Sequence, residues 1–98
     1  MVFDISKVSG IGKYTIKEEV VNKKTRTLYL KDEKVFLVVN NNTLEVRCDT
    51  ELGKLLISKY ESVMESRYYG RGGVEVVLAG QLSDNEIYDL VRLSYNLS

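Results

Sequence analysis

The hydrophobic period of the chain changes at Asp49 from two residues to between three and four. Before that point, TLEVRC at 43–48 alternates apolar and polar residues, which predicts a strand with Glu45 and Arg47 facing outward. After it, apolar residues recur at helical spacing, which predicts a helix that Asp49 or Thr50 can cap. The switch restricts the chain to folds that combine helices with a sheet.

Two further strands are predicted before this one. The segment TRTLYLK at 25–31 alternates, and KVFLVVN at 34–40 is a nearly continuous apolar run typical of a central strand. The pair DE at 32–33 predicts a compact polar turn between them. The asparagines at 40–42 predict a tight hairpin, because asparagine tolerates the left-handed conformation. With 43–48, these segments predict a three-stranded meander.

A second hairpin and a last helix are predicted after the first helix. VMESRYYG at 63–70 and GVEVVLAG at 73–80 predict two strands, with the glycines between them at the tip of the turn. Ser83 and Glu86 in SDNE form a capping box, which marks the start of a helix. Helices that alternate with antiparallel hairpins predict an α+β domain in which the helices pack against one twisted sheet.

The amino-terminal element, residues 1–24, is poorly defined by its sequence. Thr15 and Glu18 resemble a capping box, which favours a short helix. Tyr14, Ile16 and the valines that follow would equally suit an edge strand. Both interpretations stay open at this point.

Length and cysteine content restrict the class of protein. A chain of 98 residues has room for one core, so residues 1–98 are expected to form a single domain. The single Cys48 cannot form an internal disulfide, which favours a reducing compartment. No secretory apolar segment and no apolar run near the length of a membrane span is present. We therefore expect a cytoplasmic protein without membrane contact.

The charges of the chain balance, with 14 basic and 14 acidic residues. A strong non-specific DNA-binding protein gains affinity by neutralising phosphates, so zero net charge argues against that class. The segment 13–34 nevertheless carries seven basic and four acidic residues. A local positive face and an ordinary solvated strand face are both compatible with that segment.

Three stretches of the sequence occur in the order of a known family and close to its spacings. They are DEKVFLVV at 32–39, TLEVRCDTEL at 43–52 and SRYYGRGGVEVVLAGQLSDNEIYDLVRLSYNL at 66–97. The chain resembles the MmcQ/YjbR-like family of small bacterial and archaeal proteins over residues 25–97. KVSGIGKYTIKEEV at 7–20 loosely resembles the turn after the family's first helix.

The resemblance implies a two-layer α-β3-α-β2-α fold similar to that of type III secretion chaperones. The family has been predicted to bind DNA, and no general activity is established for it. Its members carry a longer first helix, a His or Asn-Lys pair near the second hairpin, and a tryptophan that opens the last strand. This sequence departs from that pattern, with Tyr69, Gly70, Arg71 and Val74 at the corresponding positions.

The chain contains no histidine. That absence removes Ser-His-Asp triads, Cys-His dyads, a common zinc ligand and the usual general base. Cys48 is expected to be a buried, inert thiol, because it faces inward on its strand. Adjacent carboxylates occur at 18–19, where they point to opposite faces of a strand, and at 32–33, in the predicted turn. We therefore expect no enzyme, no cofactor and no metal site.

The stretch SRYYGRGG at 66–73 contains the candidate ligand contacts. Its GRGG lacks the spacing of a dinucleotide fingerprint, so the glycines are interpreted as turn residues rather than as a phosphate cradle. On a strand, Arg67 and Tyr69 share one face and Tyr68 lies on the other. If Tyr69 is exposed beside Arg67 and Arg71, the three could stack a base and bind a phosphate. If Tyr68 is the inward ring, it belongs to the core.

Lys23, Lys24 and Arg26 would extend that positive surface only if the fold brings them close. The expected function is a non-enzymatic binding domain that recognises another protein or itself. The alternative is weak nucleic-acid binding through the second hairpin and these basic residues, with strong salt dependence.

Overall fold

The computed structural model describes residues 2–98, and its elements follow in chain order. After a short 3-10 helix at Ile5–Lys7, the strands and helices are β1 Thr15–Val21, β2 Lys24–Lys31, β3 Lys34–Val39, β4 Thr43–Arg47, α1 Thr50–Lys59, β5 Val63–Ser66, β6 Gly70–Val77 and α2 Asp84–Leu97. The six strands form one antiparallel sheet in the order β1-β2-β3-β4-β6-β5. The α+β class predicted from the sequence is confirmed.

The amino end differs from the order α-β3-α-β2-α that the resemblance implies. In place of a first helix the chain has the short 3-10 helix and then β1, so four strands precede α1. All seven residues of β1 pair with β2, from Thr15 opposite Leu30 to Val21 opposite Lys24. This pairing supplies hydrogen bonds to backbone N–H and C=O groups of β1. Of the two interpretations left open by the sequence, the edge strand is therefore the one that forms. Met1, the first residue of the poorly defined element, lies outside the described residues.

Two tight turns set the register of the meander. Asn22 and Lys23 connect β1 to β2 with φ of 51° and 64°, and Asp32 and Glu33 connect β2 to β3 with φ of 50° and 69°. Positive φ at both central residues is the geometry of a type I′ hairpin turn, whose twist matches that of the strands. The asparagines at 40–42 also form a turn, but without positive φ. The left-handed conformation predicted for 40–42 is found instead in the β1–β2 and β2–β3 turns.

One face of the sheet, which we call the helix face, carries both helices. α1 packs mainly on β5 and β6, and α2 packs mainly on β3 and β4. The core lies between these layers and includes the buried side chains of Leu37, Leu44, Val46, Val74 and Val76. Burial of a Val or Leu side chain contributes about 1.5–3 kcal/mol, so this layer is the main source of stability.

Both helices begin at residues that the sequence predicts. Asp49 accepts a hydrogen bond from the Glu51 N–H at 3.0 Å and caps α1. Ser83 and Glu86 form the capping box of α2, in which each side chain accepts a hydrogen bond from the backbone N–H of the other. Across residues 2–98, neither helix has the length and apolar character that crossing a membrane requires.

The opposite side of the sheet, which we call the open face, carries polar as well as apolar residues. Leu28 and Val38 lie opposite each other there and are buried. Glu45 and Glu75 also lie opposite each other, and each is only 1% exposed. The expectation that Glu45 points away from the core is right in direction. It is not solvated, however, because the turn between β5 and β6 covers this part of the sheet.

Candidate functional site

The second hairpin reverses direction at residues 67–69 rather than at the glycines. β5 ends at Ser66 and β6 begins at Gly70, so Gly72 and Gly73 lie inside a strand. Of these glycines only Gly70 has a positive φ, at 62°. The predicted position of the turn is therefore wrong. The physical reason is that the turn packs on the open face, which requires a position without a side chain at Gly73.

The turn folds back across the open face, where Tyr69 contacts β6 and β3. A Cβ added to Gly73 would lie 2.8 Å from the Tyr69 Cβ and 2.4 Å from the Val46 carbonyl oxygen. Glycine at this position lets the Tyr69 ring lie directly on the backbone of β6. The Tyr69 hydroxyl reaches β3, where it donates to the Val35 carbonyl at 2.9 Å.

Glu45 anchors the backbone of this turn. Its Oε1 accepts from the Ser66 hydroxyl at 2.8 Å and from the Tyr68 N–H at 2.9 Å. Its Oε2 accepts from the Asn40 side-chain amide at 2.9 Å. The Ser66 hydroxyl oxygen also accepts from the Tyr69 N–H at 2.8 Å. Because a buried carboxylate is costly unless it is hydrogen-bonded, the turn and the carboxylate depend on each other.

Glu75 holds the side chain of Arg67. Arg67 Nε donates to Glu75 Oε1 at 3.0 Å, and Arg67 Nη2 donates to Oε2 at 2.7 Å, which makes the pair bidentate. The Thr43 hydroxyl donates to Oε2 at 2.7 Å. Burial raises the pKa of Glu75, but the hydrogen bonds from Arg67 and Thr43 and the charge of Arg67 outweigh it and hold the pKa below the ordinary value of 4.5. The same hydrogen bond raises the pKa of Arg67.

Tyr69 is the inner ring of the turn, and Tyr68 is the outer one. The two rings meet edge to face with their centroids 4.9 Å apart, so they do not lie on opposite faces as they would in a continuous strand. Burial raises the pKa of Tyr69, and the Arg47 guanidinium, 5.2 Å from the ring centroid, offsets this only in part. Tyr69 is therefore not the exposed ring that the base-stacking hypothesis requires.

Tyr68 contacts Arg26 of β2. The Arg26 guanidinium lies 5.3 Å from the centroid of the Tyr68 ring, and Arg26 Nε donates to Glu19 Oε1 of β1 at 2.7 Å. The fold thus brings one member of the basic cluster next to the second hairpin. Lys23 and Lys24 are exposed where β1 turns into β2.

Arg71 lies apart from the other two hairpin candidates. It lines a pocket beside α1 with Lys54 and Glu65, and neither Arg67 nor Tyr69 lines that pocket. The predicted grouping of the three is therefore not reproduced. The reason is that Arg67 and Tyr69 belong to the folded-back turn, whereas Arg71 belongs to β6.

These contacts make the covered part of the open face a closed network. Within residues 2–98, every buried side-chain nitrogen or oxygen has a hydrogen-bond partner, and no three His, Cys, Asp or Glu side chains are grouped to hold a metal ion. Glu45 and Glu75 each accept three hydrogen bonds from these neighbours, which leaves few lone pairs for a further ligand. Two side chains of the network are accessible to solvent. Tyr68 is 38% exposed, and the side chain of Arg67 is 75% exposed. The arrangement fixes the turn on the sheet.

The paired carboxylates are the feature that sequence analysis missed. LEV at 44–46 and VEV at 74–76 both place a Glu between apolar strand residues, and that repetition is the only signal in the sequence. A side chain at an outward position on a strand is normally expected to be exposed to solvent. The pairing of Glu45 with Glu75 depends on the register of β4 against β6, which periodicity does not specify.

Cys48 lies on the helix face, away from this network. It is buried, and a Cβ added to Gly53 of α1 would approach its Sγ to 3.3 Å. Burial raises the pKa of the Cys48 thiol, and the charge of Asp49 adds to the effect. The predicted burial is confirmed, and the raised pKa disfavours the nucleophilic thiolate form.

β1 forms one edge of the sheet and is its least covered strand. Ile16 lies opposite Tyr29, which packs against the core, so Ile16 and Val20 are on the helix face. They are nevertheless 57% and 71% exposed, because the helices make their main contacts with β3 to β6. Glu18 lies between them on the same face, and its two neighbours in sequence lie on the open face.

The first hairpin turn also determines which backbone groups of β1 point away from the sheet. Val21 and Lys24 flank a two-residue loop and therefore form a hydrogen-bonded pair. The pattern repeats at every second residue, so the odd-numbered residues of β1 bond to β2. The N–H and C=O groups of Ile16, Glu18 and Val20 point outward, where no strand of the described sheet lies.

Neither the family models nor the curated proteins nor the solved structures compared with this chain include a match. A function is therefore inferred from the geometry of the β1 edge and of the open face.

Proposed function

We propose that this protein is a small non-enzymatic binding domain that takes up an extended segment of another protein, or of a second copy of itself, along the outer edge of β1. The observation that carries the proposal is the unpaired edge, where Ile16, Glu18 and Val20 direct their N–H and C=O groups away from the sheet. An added strand would form main-chain hydrogen bonds with these groups, which is recognition by strand addition.

The side chains of β1 would add to the affinity of such a strand. Ile16 and Val20 expose apolar surface on the helix face, beside the half-buried Tyr29. A partner strand with apolar residues at alternate positions would cover both. Edge strands often carry charges that prevent unwanted pairing, and β1 has three charged residues at 17–19. These charges would select a partner strand with complementary charges.

A random peptide library displayed on phage tests this function. The immobilised domain should enrich peptides with alternating apolar residues, and those peptides should lose binding to the Glu18→Pro variant. Proline removes the outward N–H of Glu18 and is tolerated in an edge strand, because that N–H makes no bond to β2. Glu18→Ala keeps the N–H and is the matched control. Failure to enrich any peptide would contradict uptake of a strand from another protein, and equal binding to the Glu18→Pro variant would contradict strand addition at β1.

Weak nucleic-acid binding is a second candidate, favoured by the stack of Arg26 on Tyr68 at the open face. Tyr68 could stack a base while the exposed side of Arg67 contacts a phosphate. Glu19 and Glu75 already pair with the two guanidinium groups, which reduces the net positive charge available to a phosphate. This candidate therefore ranks second.

Titration with labelled single-stranded DNA at several salt concentrations tests the second candidate. Affinity should fall steeply with salt, because phosphate contacts release counterions. Tyr68→Ala should weaken binding, whereas Tyr14→Ala, which removes a half-exposed ring near Tyr29, should not. Affinity that depends on neither salt nor Tyr68 would remove the open face as a nucleic-acid site.

We also propose membership of the MmcQ/YjbR-like family and a cytoplasmic location. The order of elements from β2 to α2 is three strands, a helix, two strands and a helix, which is the order that the family pattern has after its first helix. The single cysteine supports a reducing compartment. Superposition of a solved family member on β2 to α2 tests the assignment, and a different strand order in that member would contradict it.

A further inference from the structure

We propose that the strand added at β1 is the β1 of a second copy of this chain, paired antiparallel about a two-fold axis at Glu18. This step rests on the proposed function, because it uses the same outward edge. The order of side chains along β1 specifies both the partner and the register.

Two conditions restrict the ways in which two copies of β1 can pair. The helix faces of the two sheets must continue into each other, so every residue must lie opposite a residue on the same face. The hydrogen bonds must join the outward groups of Ile16, Glu18 and Val20. Both conditions are met by a two-fold axis that runs midway between a residue of β1 and the same residue of the second copy. We name each axis by that residue, and the central choices are 17, 18 and 19.

The axis at Glu18 brings opposite charges together on the open face. It places Lys17 opposite the partner subunit's Glu19, and the symmetry repeats this contact. These two pairs are not hydrogen-bonded through the backbone, and in such pairs the side chains lie closest. Arg26 contacts Glu19 through Oε1 with both of its donor nitrogens, so Glu19 Oε2 can accept from the partner subunit's Lys17.

The same axis brings apolar residues together on the helix face. Ile16 lies opposite the partner subunit's Val20, so exposed apolar residues of β1 cover each other in two symmetric contacts. The pairing requires no movement of α1 or α2, because their main contacts are on β3 to β6, away from this edge.

Axes at the neighbouring residues lose this complementarity. An axis at Lys17 places Lys17 opposite the partner subunit's Lys17, and an axis at Glu19 places Glu19 opposite the partner subunit's Glu19. Neither axis aligns Ile16 with Val20. Each of the three axes places one pair of like charges opposite each other, which is destabilising. Only the axis at Glu18 also brings two pairs of opposite charges together, so the charge pattern selects it.

One unfavourable contact remains in the selected register. Glu18 lies opposite the partner subunit's Glu18, with the two Cβ atoms about 5 Å apart. This repulsion, together with an interface of one strand from each chain, predicts a weak and reversible dimer. It also makes position 18 a direct probe of the register.

Sedimentation equilibrium of the full chain at concentrations up to about 1 mM measures this dimer. Glu18→Gln removes the repulsion and should lower Kd by about two- to fivefold. Lys17→Glu turns both ion pairs into repulsions and should raise Kd about tenfold or more. Glu65→Gln, in β5 at the opposite edge of the sheet, removes the same charge away from β1 and should leave Kd unchanged. Circular dichroism confirms that each variant is folded.

Mixing variants with wild type tests the register more strictly. A Glu18→Lys chain has like charges on the axis when it pairs with itself, but opposite charges when it pairs with wild type. The mixed dimer should therefore form in preference to either homodimer. Glu65→Lys, at the opposite edge of the sheet, is the matched control and should give the statistical ratio when mixed with wild type. A statistical ratio for Glu18→Lys as well would overturn the register.

The outcomes separate this proposal from the proposed function. If wild type and Glu18→Gln both stay monomeric at about 1 mM, self-pairing is overturned, and the peptide selection still decides whether β1 binds other strands. If a dimer forms but its Kd does not change with the substitutions at Lys17 and Glu18, this interface is overturned. Failure of both self-pairing and peptide capture overturns the proposed function too.

Discussion

Glu45 and Glu75 lie directly opposite each other on β4 and β6, and each is only 1% exposed. Like charges in opposite positions of a sheet repel each other, yet each of these carboxylates has its own donors. Glu45 accepts from the Ser66 hydroxyl, and Glu75 accepts from Arg67. Because Ser66 ends β5 and Arg67 begins the turn, the two carboxylates stabilise the turn at 67–69 against the open face.

Glu75→Gln tests how much stability depends on this contact. The amide keeps the shape of the side chain but loses the charge-assisted bonds to Arg67, so the free energy of unfolding should fall by about 1.5–3 kcal/mol. Glu65→Gln, at an exposed position of β5, should change it by less than about 0.5 kcal/mol. Urea unfolding followed by circular dichroism measures both variants. Equal effects would contradict the structural role of Glu75.

The lowered pKa of Glu75 sets the direction of a pH effect. A carboxyl whose pKa in the folded state is below its ordinary value of 4.5 adds stability above that pH, and this contribution is lost as the pH falls through the folded pKa. The difference in unfolding free energy between wild type and Glu75→Gln should be constant above about pH 6 and shrink below about pH 5. A difference that grows on acidification would contradict the lowered pKa.

Gly72 and Gly73 provide a matched pair of alanine substitutions. At Gly73 the new Cβ would meet the Tyr69 side chain at 2.8 Å and the Val46 carbonyl at 2.4 Å, so Gly73→Ala should cost more than about 2 kcal/mol. At Gly72 the nearest atom is the Tyr69 carbonyl at 3.6 Å, so Gly72→Ala should stay within about 0.5 kcal/mol. Thermal unfolding compares the two. Similar melting temperatures would show that Tyr69 does not pack on Gly73.

Much of the fold could be predicted because local periodicity specifies it. Strict alternation at 43–48 predicts β4, and the capping box at Ser83 predicts the start of α2. β1 could not be decided locally, because Thr15 and Glu18 fit a helix start as well as a strand. Its pairing with β2 decides the outcome, and that pairing is a contact between elements rather than a property of the segment.

The candidate site was predictable only in part. The basic and aromatic residues of the second hairpin do form its accessible surface, but the position of the turn depends on Tyr69 packing over Gly73. The anchoring of the turn by Glu45 depends on the Asn40 amide and the Ser66 hydroxyl, which come from separate parts of the chain. No local pattern specifies such contacts, because they follow from the register of the sheet.

Glycine substitutions at the two type I′ turns should stabilise the domain. Lys23 and Glu33 have φ of 64° and 69°, a conformation that costs free energy for residues with a Cβ. Lys23→Gly and Glu33→Gly should each raise the free energy of unfolding by about 0.5–1 kcal/mol, as expected for this turn type. Asn41→Gly is the control, because Asn41 has no positive φ and gains nothing. Denaturant midpoints at or below that of wild type for both turn variants would contradict this geometry.

Amide hydrogen exchange along β1, followed by NMR at low and high protein concentration, tests the central claim most directly. In the free domain the N–H groups of Lys17 and Glu19 bond to β2 and should be protected, whereas those of Ile16, Glu18 and Val20 should exchange quickly. Protection of these last three should rise as the concentration approaches about 1 mM or when a selected peptide is added. If they exchange equally fast under all these conditions, strand addition at β1 is contradicted.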